Sequence, residues 1–369
     1  MKYLNIALIT LVLVLSCSAS DTTATNEPSS LKVSITQKGA SDAYPNGDGS
    51  GVIEVVASAT NADRYAFRFD NGDLQESDSG TMEHTFIKEG TNSYTVVVWA
   101  YSNTGEFVNS THTIEVFKSD EAYTTLVFSD EFDYEGNPDE QKWHYQIIPP
   151  DNGSWHNGEL QHYTDKPENS FVSDGTLKIE AKKEEYTFSG STKQYTSARL
   201  NSKFAFTYGR VEVKAKLPGI AGTWPAIWTL GADSNEVGNY FGDEYGTAGW
   251  PHSGEIDIME QTGGDKNSVI THFHWGDKTT GEYKNDGGTL PIEDASGTFH
   301  VFSMVWDSDS IKVFVDDELN FELANDSNKP YNHPHYLLLN LAIGGNLGGD
   351  VPENFLEGTF EIDYVRVYQ

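Results

Sequence analysis

The sequence predicts an all-β protein of two sandwiches in series, a small one over residues 31–117 and a large one over residues 124–369. Three observations predict it. Beyond residue 30, no run of ten or more residues carries an apolar stripe at the helical period. Short runs alternating apolar and polar residues are separated instead by turn clusters such as Asn71-Gly72-Asp73 and Asp286-Gly287-Gly288. Hydrophobic residues make up 37% and aromatics 12%, enough for a real core and too much for a disordered chain.

Charge and cysteine content narrow the function classes. The 369 residues include 24 Lys+Arg against 56 Asp+Glu, a formal charge of -32. Nucleic acid is excluded as a partner, because phosphate binding needs Lys/Arg neutralisation. A polyanionic substrate is disfavoured, although a local basic cleft could override the global sign. One Cys rules out an internal disulfide framework and a four-cysteine zinc site.

The elements follow in chain order. Met1-Lys2, an apolar run from Leu4 to Leu15 and then Ser16-Cys17 have the layout of a secretory signal peptide. The run is too short to span a bilayer, which takes roughly 20 apolar residues. Val14-Leu15-Ser16-Cys17 resembles a bacterial lipobox, which makes residues 1–16 a lipoprotein signal peptide and Cys17 the lipid-bearing first residue. Residues 17–30 are rich in Ser, Thr, Asp and Asn and suit a flexible tether. The expected location is the bacterial cell envelope, at the outer membrane, held by lipid alone.

Residues 31–117 hold about seven strand candidates, enough for one small sandwich. The stretch from Arg64 to Asp73, His84-Thr85-Phe86, Glu89-Gly90 and Tyr94-Thr95-Val96-Val97-Val98 resemble a PKD-type immunoglobulin-like module. No grouping of acids, His or nucleophile in it suggests catalysis. A charged stretch, Lys118-Ser119-Asp120-Glu121, marks the boundary. Residues 124–369 suit a large sandwich of two curved sheets in jelly-roll style. Seven of the eight Trp lie there, and Trp224 and Trp228, an even number apart, share one strand face. Flat aromatic faces suit sugar rings, though aromatic stripes also build cores.

The chemistry concentrates in Gly254-Glu255-Ile256-Asp257-Ile258-Met259-Glu260. On a strand Glu255 and Asp257 share a face, and Ile256 and Ile258 point the other way. An uninterrupted period sends Glu260 to the apolar side, where a lone carboxylate is costly. A β-bulge at Ile258-Met259 returns it to the acidic face. Paired carboxyls are what glycoside hydrolysis needs, one ionised and one protonated. The strand rise separates the Glu255 and Glu260 Cα atoms by roughly 13 Å. A retaining pair needs carboxyls about 5–5.5 Å apart, so the side chains must lean together.

This segment resembles the catalytic strand of glycoside hydrolase family 16 in its bulged form. The resemblance runs through Val127-Phe128-Ser129-Asp130-Glu131-Phe132, Asn157-Gly158-Glu159-Leu160-Gln161, Tyr195-Thr196-Ser197-Ala198-Arg199-Leu200 and Gly209-Arg210-Val211-Glu212. It continues in Trp224-Pro225-Ala226-Ile227-Trp228, in Leu339-Asn340-Leu341-Ala342-Ile343-Gly344-Gly345 and in Asp363-Tyr364-Val365-Arg366-Val367-Tyr368. It implies a concanavalin-like jelly roll with an open cleft, cutting β-glycans internally with retention. By similarity Glu255 is the nucleophile, Glu260 the general acid/base, and Asp257 their proton-tuning neighbour. His274 matches a histidine near the acid/base. Asn157, Arg199, Trp224, Trp228 and Trp250 match cleft positions of laminarinase-like members, and Arg199 also suits a structural role. Where relatives often carry Asn-Asn, this chain has Asn157-Gly158. Catalysis needs no cofactor, and one structural calcium is implied at Glu131, the Gly175 carbonyl and Asp363, hard oxygen ligands that suit that ion.

The expected activity is an endo-β-1,3-glucanase acting as a monomer on a neutral glucan. Residues 222–260 contain no Lys or Arg, which disfavours sulfated agar- or carrageenan-type galactans. Mixed-linkage β-1,3/1,4-glucan stays open. The alternative from another class is a non-catalytic glycan-binding lipoprotein, which has no need of Glu255, Asp257 and Glu260 together.

Overall fold

A computed structural model describes residues 27–41, 45–47, 49–118 and 123–369. The signal segment, Cys17 and most of the tether lie outside the described residues, as do boundary residues 119–122. The all-β expectation holds. Among the described residues, the helices are two four-residue turns, Gly242–Tyr245 and Gly345–Gly348, and a three-residue 3-10 turn at His156–Gly158. No helix among the described residues is long and apolar enough to cross a membrane.

The upstream region forms seven strands in two sheets. One pairs Ser29–Gln37, Val52–Thr60 and Thr81–Thr85; the other orders Gln75–Ser77, Arg64–Phe69, Gly90–Tyr101 and Phe107–Lys118. Alternation drives them: Ile53, Val55 and Ala57 are buried while Glu54, Val56 and Ser58 are exposed. The first strand, Ser29–Gln37, includes the last two residues of the expected tether.

By its contacts the chain divides into two compact units. One holds the described residues of Met1–Ser34 with Val55–Met82 and Thr95–His112; the other holds Ile35–Glu54, Glu83–Tyr94 and Thr113–Gln369. This division differs from a single cut between residues 117 and 124, because several upstream strand ends group with the larger unit.

Residues 123–369 contain a seven-stranded and a ten-stranded sheet. The seven-stranded sheet runs Tyr283–Pro291, Ser268–Gly276, Glu255–Glu260, Thr223–Gly231, His335–Ile343, Arg199–Phe206, Trp143–Tyr145. The central path of the ten-stranded sheet includes Thr176–Phe188, Glu357–Tyr368, Gly209–Lys216 and His300–Trp306. Ile227, Ile256, Phe273 and Leu339 from the first sheet share one core with Val211, Phe302, Ile362 and Val365 from the second. Burying each such side chain contributes about 1.5–3 kcal/mol. The opposite face of the seven-stranded sheet is therefore free to carry chemistry.

The strand His335–Ile343 is buried at every position. Leu337, Leu339 and Leu341 enter the core between the sheets. Tyr336 and Leu338 cluster instead with Leu230, Ala232, Trp228 and Phe241. Two members of that second, smaller cluster pair with the acidic strand, Leu230 with Glu255 and Trp228 with Asp257.

Candidate active site

Gly254 introduces the acidic strand with φ +76°, a conformation that L side chains rarely adopt, and an added Cβ would meet Pro330 at 3.0 Å. The strand then pairs Leu230 with Glu255, Trp228 with Asp257, Ile227 with Met259 and Ala226 with Glu260. The register slips between Asp257 and Glu260, on this side and against Ser268–Gly276. The expected bulge is therefore present. Ile258 and Met259 both enter the core, and this doubled inward pair returns Glu260 to the face of Glu255 and Asp257.

The three acids lie in a water-poor trough. Their side chains sit against the buried floor, with Asp257 5% exposed. Burial is the largest cause raising all three pKa values, and Glu255 and Asp257 rise well above the carboxylate range. Charge repulsion adds to it: Asp257 and Glu260 raise Glu255, and Glu260 raises Asp257. Glu260 rises less, because Trp224 Nε1 donates to Glu260 Oε1 at 2.8 Å and favours its ionised form. Like charges this close cannot all ionise, so the cluster retains a proton at a pH where isolated carboxyls have lost theirs.

The surrounding side chains fall into two groups. Trp224 and His274 reach the acids, and Trp250 packs beside His274. His274 stands opposite Glu255 in register; its Nε2 lies 3.4 Å from Asp257 Oδ2 and 3.8 Å from Glu255 Oε1. The structure thus sets His274 against Asp257 and Glu255, at the nucleophile end of the expected triad. Trp250 is 54% exposed and packs its ring 5.8 Å from that of His274. Asn157 is exposed in the 3-10 turn, with its side chain 3.4 Å from Asn346.

Trp228 and Arg199 act from beneath. Trp228 Nε1 donates to Asn340 Oδ1 at 2.7 Å. The Arg199 guanidinium stacks 4.9 Å from the Trp228 ring and forms a two-point ion pair with Glu236, at 3.1 and 2.5 Å. Only 5% of Arg199 is exposed, and its ion pair with Glu236 ties it to the 231–249 loop. The Trp228 bond continues to Tyr163, which accepts from Asn340 at 3.1 Å and donates to Glu159 at 3.1 Å. Burial raises the Glu159 carboxyl, whose charge in turn raises Glu260.

Glu159, Glu236, Asn340, Tyr163, Tyr283 and Tyr331 form a supporting layer whose roles sequence reasoning did not assign. The Tyr331 hydroxyl lies 3.1 Å from the main-chain oxygens of both Glu255 and His274. Tyr163, Tyr283 and Asn340 stand on strands and Glu159, Glu236 and Tyr331 in loops, and all reach the site from distant positions in the sequence.

The residues implied for calcium lie on or next to the ends of adjoining strands. Leu126–Asp130 and Thr176–Phe188 both flank Glu357–Tyr368. Glu131 is held by Arg366 at 3.0 and 2.7 Å, and Asp363 by Lys214 at 2.7 Å. Elsewhere, Glu255, Asp257 and His274 bring ligand atoms within 4.8 Å of one another. His272 turns instead to Asn285, at 3.1 Å.

The sequence matches the family described as glycosyl hydrolases family 16 over residues 157–366. A Beta-glucanase from Rhodothermus marinus is 39% identical over 273 residues, covering 68% of the chain and 88% of that protein. Glucan endo-1,3-beta-glucosidase A1 from Niallia circulans is 36% identical over 273 residues, covering 66% of the chain and 38% of that protein. Among solved structures, a substituted LamA from Z. galactanivorans, in complex with laminaritriose and laminaritetraose, is 70% identical. It superposes with a TM-score of 0.67, covering 67% of the chain and 100% of its own. The laminarinase catalytic domain of Thermotoga maritima is 38% identical, with a TM-score of 0.57, covering 68% and 99%.

Proposed function

The chain belongs to glycosyl hydrolases family 16, and from that membership we propose that it hydrolyses internal β-1,3 linkages of a neutral β-glucan of the laminarin type, with retention. The observation that carries the reading is the bulged strand, which presents Glu255, Asp257 and Glu260 on one face beneath Trp224. Glu260 protonates the leaving glycosidic oxygen while Glu255 attacks the anomeric carbon. Glu260 then takes a proton from the water that releases the sugar from Glu255. Asp257, between them in sequence and on their face, repels charge on Glu255 and so helps to keep a proton in the cluster.

A neutral substrate fits the charges. Arg199, on the row that links Asn340, Ala226 and Glu260, is engaged by Glu236 and offers no free cation to a sulfate. Trp250, exposed beside His274, gives a sugar ring a flat face.

The test is product analysis on laminarin, mixed-linkage glucan, agarose and carrageenan, with Glu255→Ser alongside. Laminarin should yield short β-1,3 oligosaccharides, and Glu255→Ser should bind them without cleavage. Cleavage near the wild-type rate by that variant would remove Glu255 as nucleophile. Preferential release from mixed-linkage glucan would move the substrate to β-1,3/1,4 chains.

Three further features belong to this reading. Residues 1–16 direct export, and Cys17 carries a lipid that holds the protein at the outer membrane as a monomer. The upstream strands form a PKD-type module that acts as a spacer. A structural calcium binds Glu131, the Gly175 carbonyl and Asp363, which exchange Arg366 and Lys214 for the ion. No metal takes part in the chemistry described for Glu255 and Glu260.

A further inference from the structure

Tyr283 has no part in the steps above. It opens the edge strand Tyr283–Pro291, opposite Gly276, and is 47% exposed. Its hydroxyl lies 2.7 Å from His274 Nδ1. The two rings are parallel within 8°, with centroids 5.9 Å apart, and the Trp250 ring packs at 5.4 Å from Tyr283 and 5.8 Å from His274. On the far side of the same imidazole, Nε2 faces the Asp257 and Glu255 carboxylates at 3.4 and 3.8 Å.

We propose that Tyr283 is a positioning residue for hydrolysis: its hydroxyl holds His274 in the tautomer that directs an N–H at Asp257 and Glu255. The inference rests on the hydrolase reading given above. A neutral imidazole carries one N–H, and the partner of one nitrogen sets which nitrogen bears it. When the Tyr283 O–H donates to Nδ1, the hydrogen must sit on Nε2. The opposite tautomer would aim a lone pair at two acceptor carboxylates and leave them without that donor. Burial, and the charges of Glu255 and Asp257, keep the phenol protonated and therefore a donor. An N–H facing Glu255 favours its ionised form, which is the form that attacks. Tyr283 thus bears on the nucleophile through one hydrogen bond, one ring and a polar contact of 3.8 Å.

The experiment combines spectroscopy with kinetics. Long-range ¹H–¹⁵N spectra of the full chain are recorded for wild type and Tyr283→Phe above the pH range where histidine is charged, with His274→Gln to assign the ring. Wild type should show a protonated Nε2 and a hydrogen-bonded, unprotonated Nδ1; Tyr283→Phe should show exchange between tautomers. Phe keeps the ring and its packing on Trp250, so KM on laminarin should stay, and kcat should fall roughly tenfold, the loss of one hydrogen bond to a polar site. In a His274→Gln background, Tyr283→Phe should cost nothing further. An unchanged tautomer pattern, a loss confined to KM, or losses that multiply in the double variant would each overturn the proposal. The spectra need no substrate, so they report on Tyr283 even if the chain cleaves no β-glucan.

Discussion

One indole shows how finely a single donor sets this site. The Trp224 N–H stabilises ionised Glu260, so Trp224→Phe removes that bias and raises the Glu260 pKa. A general acid works in its protonated form, and activity is lost as pH rises through its pKa. The alkaline limb of the kcat/KM profile should therefore move to higher pH; an unmoved limb would mean that Glu260 does not titrate there. At this scale the acids were readable because their chemistry and their strand period coincide. Arg199 was readable as a residue but its partner was not, since Glu236 stands 37 positions away in an irregular loop. Tyr163 and Asn340 meet across 177 positions, and no local pattern announces such a bond.

At the scale of elements, the bulge was legible because only a slip in the strand keeps Glu260 out of the core. The pairing itself was not: nothing in the period says that Thr223–Gly231 and Ser268–Gly276 flank the acidic strand. The calcium proposal also belongs here. Three segments would be tied together by one ion: the end of Leu126–Asp130, the turn at Asp174–Gly175 and the strand Glu357–Tyr368. Calcium added to chelator-treated protein should raise the melting temperature, by about 2–4 °C for each kcal/mol of binding. Equal melting curves with and without calcium would show that Arg366 and Lys214 are the permanent partners of these acids.

Across the whole molecule, the all-β class and the large sandwich followed from turn spacing and the absence of helical stripes, while the way contacts divide the upstream strands did not. Their ends alternate like their middles, so periodicity cannot tell to which unit each belongs. The lone cysteine, uninformative about fold, carries the proposal about location. Cys17→Ala should shift the protein from the membrane fraction to the soluble one without changing its activity on laminarin. Persistence with the membranes would end the lipid-anchor reading.

The slip at Ile258-Met259 has an arithmetic consequence. Five residues separate the two glutamates, an odd number, and an odd count reaches the same face only through a doubled inward pair. Separations of four or six are even and reach that face on a plain strand. Shortening the segment by one residue would therefore dissolve the kink yet keep both carboxyls over the cleft at about the same 13 Å, while lengthening it by one would keep them there about two 3.3 Å pleat steps further apart. Reach between the acids is thus adjustable by single-residue insertion, a coarse dial that leaves the sidedness of the sheet intact.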